Sequence, residues 1–310
     1  MAFITGRGNN IGDIIFGTPD ADTIYGYSGD DRIHGLEGDD LIYGGTGIDW
    51  LWGDSGNDML RGDSDNDFLF GNVGADFLFG NSGADVIRGD EDNDTLEGGS
   101  GNDSLCGDDG NDALKGGDGR DLLSGGFGQD IITGGKDDDI IYGDATLIVD
   151  DNGTVTIDDF DDGVFLGKED VLKGDSGNDT IFGGRSNDIL RGGTGDDVLN
   201  GQGEDDQLFG GEGNDILIGG AGDSTDRYNG GAGNDIFVFL ESGGTIVDFT
   251  QDEDRIDLVA FGTSFEELII TDDGVDDSRI VIPQSPGSPV GTTIFLDDFI
   301  GLQASDFMFA

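Results

Sequence analysis

Between Gly8 and Tyr142 a large aliphatic residue recurs at every ninth position, from Ile15 and Ile24 through Leu51, Leu69 and Leu105 to Ile141, fifteen times without a slip. The six positions before it are mostly small or polar, as in Gly44-Gly45-Thr46-Gly47-Ile48-Asp49 ahead of Trp50-Leu51-Trp52. A triplet with one inward and two outward side chains has the alternation of a short strand, and a Gly-rich hexad that can reach positive φ suits a tight turn. Such a unit cannot bury its single apolar face alone. The fixed period therefore predicts a solenoid of stacked units, and it overrides the one- or two-domain expectation that 310 residues would set.

The same period returns from Gly174 to Val238, with a two-residue insertion ahead of Asp226. Between the blocks, residues 146–159 read as two alternating apolar segments around Asn152-Gly153, a two-residue hairpin signal. This stretch is expected to leave the rod as a hairpin, the alternative being a linker between two rods. From Phe239 the period stops and strand-like runs follow at 245–249, 279–282 and 293–296, as a terminal cap requires. The expected organisation is 1–142 for the first block, 143–173 for the hairpin insertion, 174–238 for the second block and 239–310 for the cap.

Charge narrows the partners. With 68 acidic residues against 14 basic ones the formal net charge is -54, which excludes electrostatic attraction to DNA, RNA or an anionic membrane and favours cations. Together with 61 glycines this is close to the composition of a disordered chain. A disordered acidic tail, however, does not set an Asp two residues before an aliphatic side chain at every ninth step. That Asp is sixth in the unit: Asp13, Asp22, Asp31, Asp40, Asp49, Asp58, Asp67, Asp76, Asp85, Asp94, Asp103, Asp112, Asp121, Asp130 and Asp139, then Asp179, Asp188, Asp197, Asp206, Asp215, Asp226 and Asp235. Asp170 reads as a degenerate lead-in to the second block.

The unit matches GGxGxDxUx, where U is a large aliphatic residue, and on that match the chain resembles the RTX, or hemolysin-type calcium-binding repeat, family. The resemblance implies an all-β, right-handed parallel β-roll with a β-rich C-terminal cap, two units to a coil and consecutive units on opposite sheets. It also implies that each Ca2+ lies between unit n and unit n+2, taking sixth-position carboxylates and turn carbonyls from both. Asp40 would then share an ion with Asp58, and Asp49 with Asp67, for roughly 15–20 ions in all.

The donor chemistry agrees, since calcium takes six to eight oxygens, while one histidine and one cysteine leave zinc or copper without their usual ligands. A competing reading, aspartates that merely cap turns, would tolerate Asn, Ser or Gly at some of these positions. Where Asp20, Asp65, Asp92, Asp137, Ser186 and Glu204 replace the fourth-position glycine, a distorted loop or an added carboxylate is expected. One coil buries only two aliphatic side chains against the entropy of eighteen ordered residues, so calcium is expected to drive folding.

Ile246-Val247-Asp248-Phe249, Asp254-Arg255-Ile256-Asp257-Leu258 and the end Asp306-Phe307-Met308-Phe309-Ala310 resemble the domain that closes RTX metalloproteases and lipases. In that family such an end belongs to an uncleaved signal, which implies a type I exporter as partner and a secreted, extracellular or cell-surface location. The N-terminal residues lack a secretory signal, and no apolar run reaches the length of a membrane span.

No enzymatic activity is expected. Gly53-Asp54-Ser55-Gly56 imitates a serine nucleophile but falls on an ordinary unit, and His34, the single imidazole, is expected on a solvated strand face. Cys106 occupies an outward ninth position and should be a surface thiol. Alternate-unit stacking also gathers Phe16, His34, Trp52 and Phe70 with Arg32, Trp50 and Phe68 on one sheet. Trp50, Trp52, Phe68 and Phe70 are therefore a candidate partner face for a glycan, a cell surface or a second copy, or else a ladder that strengthens stacked strands. The reading is a secreted calcium-binding β-roll with a structural or cell-surface role; the alternatives are a calcium-dependent adhesin or surface-layer protein, and a hydrolase or sugar-modifying enzyme.

Overall fold

A computed structural model describes residues 2–6, 11–149, 155–158, 168–220, 225–240, 243–251, 253–263, 267–272, 278–283, 291–297 and 302–309. The chain forms two compact units, Met1–Val171 and Leu172–Ala310.

In the first unit, successive repeats alternate between two parallel sheets. One is built from Phe3–Thr5, Thr23–Ser28, Leu41–Thr46, Met59–Ser64, Phe77–Ser82, Thr95–Ser100, Ala113–Asp118 and Ile131–Lys136. The other is built from Ile14–Phe16, Arg32–Glu37, Trp50–Ser55, Phe68–Val73, Val86–Glu91, Ser104–Asp109, Leu122–Phe127 and Ile140–Tyr142. Strand residues pair with those eighteen positions away, Leu51 with Leu69 and Ile42 with Leu60, so the β-roll expected from the repeat is the fold observed. The eighth-position residues fill the interior: Ile24, Ile33, Ile42, Leu51, Leu60, Leu69 and Leu78 are fully buried.

Most strands are six residues long rather than three. Trp50–Ser55 alternates half-buried and buried through Gly53, because the first-position glycine of the next unit pleats inward where a larger side chain would not fit. The bend falls at positions four to six, and position two is left-handed as well, as at Gly45 (φ 114°) and Asp54 (φ 70°). At position four the backbone is left-handed, as at Gly56 (φ 142°), and Asp65, Asp92, Asp137 and Glu204 keep that conformation at φ 66–80°. These substitutions thus preserve the loop and leave their side chains exposed; Asp65 Oδ2 accepts the N–H of Gly47 at 3.0 Å instead of joining the inner aspartates.

Thr146–Val149 and Val155–Asp158 form a separate antiparallel pair. Val149 faces Val155, which encloses five residues, an odd number, and so this is not the register of a two-residue Asn152-Gly153 turn. Asn152 and Gly153 themselves lie outside the described residues. The first of these strands packs on Ser104–Asp109 and Leu122–Phe127. This corrects the expectation for Cys106, which is buried at 2 % exposure: its strand carries the returning chain, as does that of Ser124, whose hydroxyl donates to the carbonyl of Ala145.

The second unit repeats the pattern. One of its sheets runs Val171–Ser176, Ile189–Thr194, Gln207–Glu212, Thr225–Ala232 and Gly243–Ile246, then adds Gly291–Leu296, Ser278–Pro283 and Ile269–Asp272, the last pairings antiparallel. The other runs Thr180–Gly184, Val198–Gln202, Ile216–Ile218, Ile236–Val238, Arg255–Asp257 and Phe307–Met308. Toward its end the core changes from aliphatic to aromatic, with Tyr228, Phe237 and Phe239 buried together. Phe307 is in this sheet and Asp306 is fully buried, so residues 306–307 are part of the folded unit. Among the described residues no helix is long and apolar enough to cross a membrane.

Candidate metal centre

Stacking at eighteen residues brings the sixth-position aspartates into columns. In the first unit, Asp13, Asp31, Asp49 and their successors form one, and Asp22, Asp40, Asp58 and theirs form the other. Apart from Asp13, which is partly exposed, the sixth-position aspartates are almost completely buried. Each backbone N–H donates to Oδ1 of the aspartate one coil on: Asp40 to Asp58 at 2.7 Å, Asp49 to Asp67 at 2.8 Å, Asp197 to Asp215 at 2.9 Å. The pairs expected to share ions are therefore neighbours, and the contact seen between them is this hydrogen bond.

The other oxygen is different. Oδ2 of Asp31, Asp49, Asp58, Asp67, Asp76 and Asp85 is buried with no hydrogen-bond donor, and the same holds at Asp103, Asp112, Asp121, Asp197, Asp215 and Asp235. It faces the inward glycine of its own unit. A β-carbon on Gly53 would meet Asp58 Oδ2 at 2.4 Å and the carbonyl oxygen of Gly71 at 2.9 Å. Two acceptors thus converge on a space that only glycine leaves open, with no proton between them. A buried carboxylate oxygen without a donor is costly, and a hard cation is the partner its chemistry calls for. Among the described residues no three His, Cys, Asp or Glu side chains converge, so a cation here would complete its shell with backbone oxygens.

Burial lifts these carboxyls far above the ordinary carboxylate range. Asp49, Asp76, Asp85, Asp121, Asp130 and Asp197 are pushed up to about 7, and Asp58, Asp67 and Asp94 to about 8. The donated backbone N–H opposes the rise, while neighbouring rungs add to it, as Asp49 and Asp85 do at Asp67. A column of ionised aspartates therefore needs compensating positive charge near neutral pH.

Two further rungs escaped the sequence reading. Asp170 accepts the N–H of Asp130 at 2.7 Å and is fully buried, so it is a complete rung and not a degenerate lead-in. Asp254 accepts the N–H of Asp235 at 3.0 Å. The available signal was the triplet Asp-x-aliphatic, in Asp170-Val171-Leu172 and Asp254-Arg255-Ile256, which persists where the glycines do not. A second, exposed ladder was also missed. Fifth-position Asn and Asp side chains accept the backbone N–H one coil on, Asn57 from Ala75 at 2.9 Å and Asn102 from Arg120 at 3.0 Å, in the opposite direction to the buried one.

The aromatic residues stack as the alternation required. His34 lies 4.4 Å from Trp52 with planes 5° apart, and Trp50 lies 4.2 Å from Phe68. Phe16 stacks on His34 and Phe70 on Trp52. At these separations the ring faces cover one another. Trp50, Trp52, Phe68 and Phe70 are half-buried, and His34, expected on a solvated face, is held in the stack with its Nδ1 3.2 Å from Asp54 Oδ2.

Comparison with known proteins adds the following. The family model for the RTX calcium-binding nonapeptide repeat matches residues 7–42, 34–69, 43–78, 79–114, 115–145, 167–199, 191–226 and 200–237, more than half of the chain. No curated protein matches it. Among solved structures the chain is similar to the AlgE6R2 subunit of a mannuronan C5-epimerase from Azotobacter vinelandii, at 26% identity over 38% of this chain and 91% of that one, with a TM-score of 0.29. The AlgE6R3 subunit of the same enzyme is 20% identical over 60% and 83%, TM-score 0.23. The extracellular lipase LipA of Serratia marcescens is 18% identical over 79% of this chain and 45% of that one, TM-score 0.23. With the repeat, the buried aspartate columns and the matched family model all in agreement, the chain belongs to the RTX calcium-binding nonapeptide repeat family.

Proposed function

We propose that this protein is a secreted, calcium-loaded β-roll whose job is structural, at or beyond the cell surface, and that calcium is the switch for its folding. The observation that carries this reading is the buried Oδ2 of the interior aspartates, which meets a first-position carbonyl and no donor. Asp31 to Asp139, Asp179 to Asp215 and Asp235 would hold the ions, together with carbonyls of the turns, with Asp170 added to them. Bound calcium supplies the positive charge that lets buried carboxylates stay ionised side by side. The chain's own part is to orient them: the N–H of each preceding rung fixes Oδ1, and glycine keeps the space beside Oδ2 open.

Binding in the range of extracellular modules, about 10⁻⁴ to 10⁻³ M, would leave the chain unfolded where calcium is scarce and fold it after export. The terminal residues support the order of events, because Asp306 and Phe307 are buried once the fold forms and an exporter would have to engage them earlier. The aromatic stripe belongs, in this reading, to the strength of the roll. Its ring faces are spent on one another, whereas a sugar would need them. Two measurements test the proposal. Equilibrium dialysis should give many bound Ca2+ per chain and few Mg2+, and intact protein should appear in the medium only when a type I exporter is present. Retention in the cytoplasm with such an exporter, or no calcium uptake, would reject it.

A further inference from the structure

Three aspartates at the ends of the columns depart from the interior pattern. Asp22 opens one column of the first unit. Its Oδ1 accepts the N–H of Ala2, but its Oδ2 accepts both the N–H and the hydroxyl of Thr18, at 2.7 and 2.8 Å. Asp254 closes a column of the second unit, and its Oδ2 accepts the N–H of Thr250 at 2.6 Å. Asp226 closes the other. There the inward eighth position carries Tyr228, whose phenol oxygen lies 3.4 Å from Asp226 Oδ2 and beside the glycine of the same unit, Gly219.

The two threonine rungs share a sequence, Thr18-Pro19-Asp20-Ala21-Asp22 and Thr250-Gln251-Asp252-Glu253-Asp254, in which Thr stands four residues ahead of the rung aspartate. That is the second position of the unit, where interior rungs keep a left-handed conformation whatever the residue, as at Gly45, Asp54 and Asn72 and also at Tyr27, Leu36 and Gln202. Thr18 is not left-handed, and its amide and hydroxyl turn toward the carboxylate instead. Tyr228 reaches the same oxygen by a different route, from inside the core. Two unrelated solutions thus place a proton donor on the oxygen that interior rungs leave without one.

We infer that Asp22, Asp226 and Asp254 are closed by the protein's own donors and take no cation, so that Thr18 sets where one calcium column of the first unit begins, and Tyr228 and Thr250 set where the two of the second unit end. A terminal rung has a neighbour on one side only and could offer a cation half a shell. Donor protons satisfy its carboxylate in the folded roll without a metal ion at that rung. The inference rests on the calcium reading proposed above.

The test is the number of cations bound by the full-length chain at saturating calcium, read by elemental analysis after gel filtration, with far-UV circular dichroism to report the folded state. Asp22→Asn and Asp254→Asn should hold as many Ca2+ as the unaltered chain, whereas Asp58→Asn and Asp67→Asn should each hold at least one fewer. A loss of one Ca2+ in Asp22→Asn or Asp254→Asn would overturn the inference. Should either variant fail to fold, Thr18→Val decides: an unchanged or larger count supports a cap, and a smaller count shows the hydroxyl to be a ligand and overturns it. An unaltered chain that binds no calcium would instead overturn the calcium reading itself.

Discussion

The backbone N–H of Asp40 donates to Oδ1 of Asp58 at 2.7 Å, while Oδ2 of the same Asp58 meets no donor. The two oxygens of one carboxylate therefore have separate duties, one within the protein and one toward a cation. Asn at position 58 keeps the first acceptor and removes the charge. Asp58→Asn is expected to raise the calcium concentration needed for folding without destabilising the metal-free chain. Asp58→Ala should also lose the hydrogen bond, at a further cost of about 1–3 kcal/mol. Calcium titrations followed by circular dichroism separate the two.

Gly53 tests the space beside that oxygen. A methyl group there would sit 2.4 Å from Asp58 Oδ2 and 2.9 Å from the Gly71 carbonyl, and the second contact is backbone on the neighbouring coil. Gly53→Ala should destabilise the calcium-loaded roll by about 1–3 kcal/mol or more and weaken calcium binding with it. A melting temperature within a degree of the unaltered chain would contradict the assignment.

The raised carboxyl values predict an acid effect with a definite sign. Asp58, Asp67 and Asp94 titrate near 8 when folded without metal and near 3.9 when unfolded, so the folded state binds more protons throughout that interval. The destabilisation is fully present above about 8, and stability rises as pH falls toward 4. The metal-free chain should thus gain β structure on acidification, and calcium affinity should fall over the same range because protons compete for the carboxylates. Circular dichroism in chelator between pH 9 and 4 checks it; β content that falls on acidification would count against the buried columns.

The aromatic stripe is expected to act through stacking. Replacing Trp50 or Trp52 by Ser removes ring contacts with Phe68 or with His34 and Phe70, and each lost pair should cost about 0.5–1.5 kcal/mol. Chemical denaturation in saturating calcium measures this. Unchanged stability with altered oligomer size or surface binding would move these residues from ladder to partner face.

The eighteen-residue pairing, the inward aliphatic column and the buried aspartates were all legible in the sequence, because each repeats locally at a fixed position. What was not legible depends on contacts between distant segments. Cys106 reads as outward from its own unit, and only the packing of Thr146–Val149 over its strand makes it buried. Asp170 lacked a glycine loop, yet the ladder placed it one rung after Asp130 across forty residues of chain. The fifth-position Asn ladder was visible as a compositional bias in Asn57, Asn66, Asn93, Asn102 and Asn111, but a bias at an exposed position gives no partner until the coils are stacked.

The most direct test of the account is far-UV circular dichroism of the full-length chain at pH 7.5, first in chelator and then with calcium raised through about 10⁻⁴ to 10⁻³ M. A largely disordered spectrum that converts cooperatively to β structure is the expected result. Full β structure in chelator, or a disordered chain that calcium leaves unchanged, would contradict it.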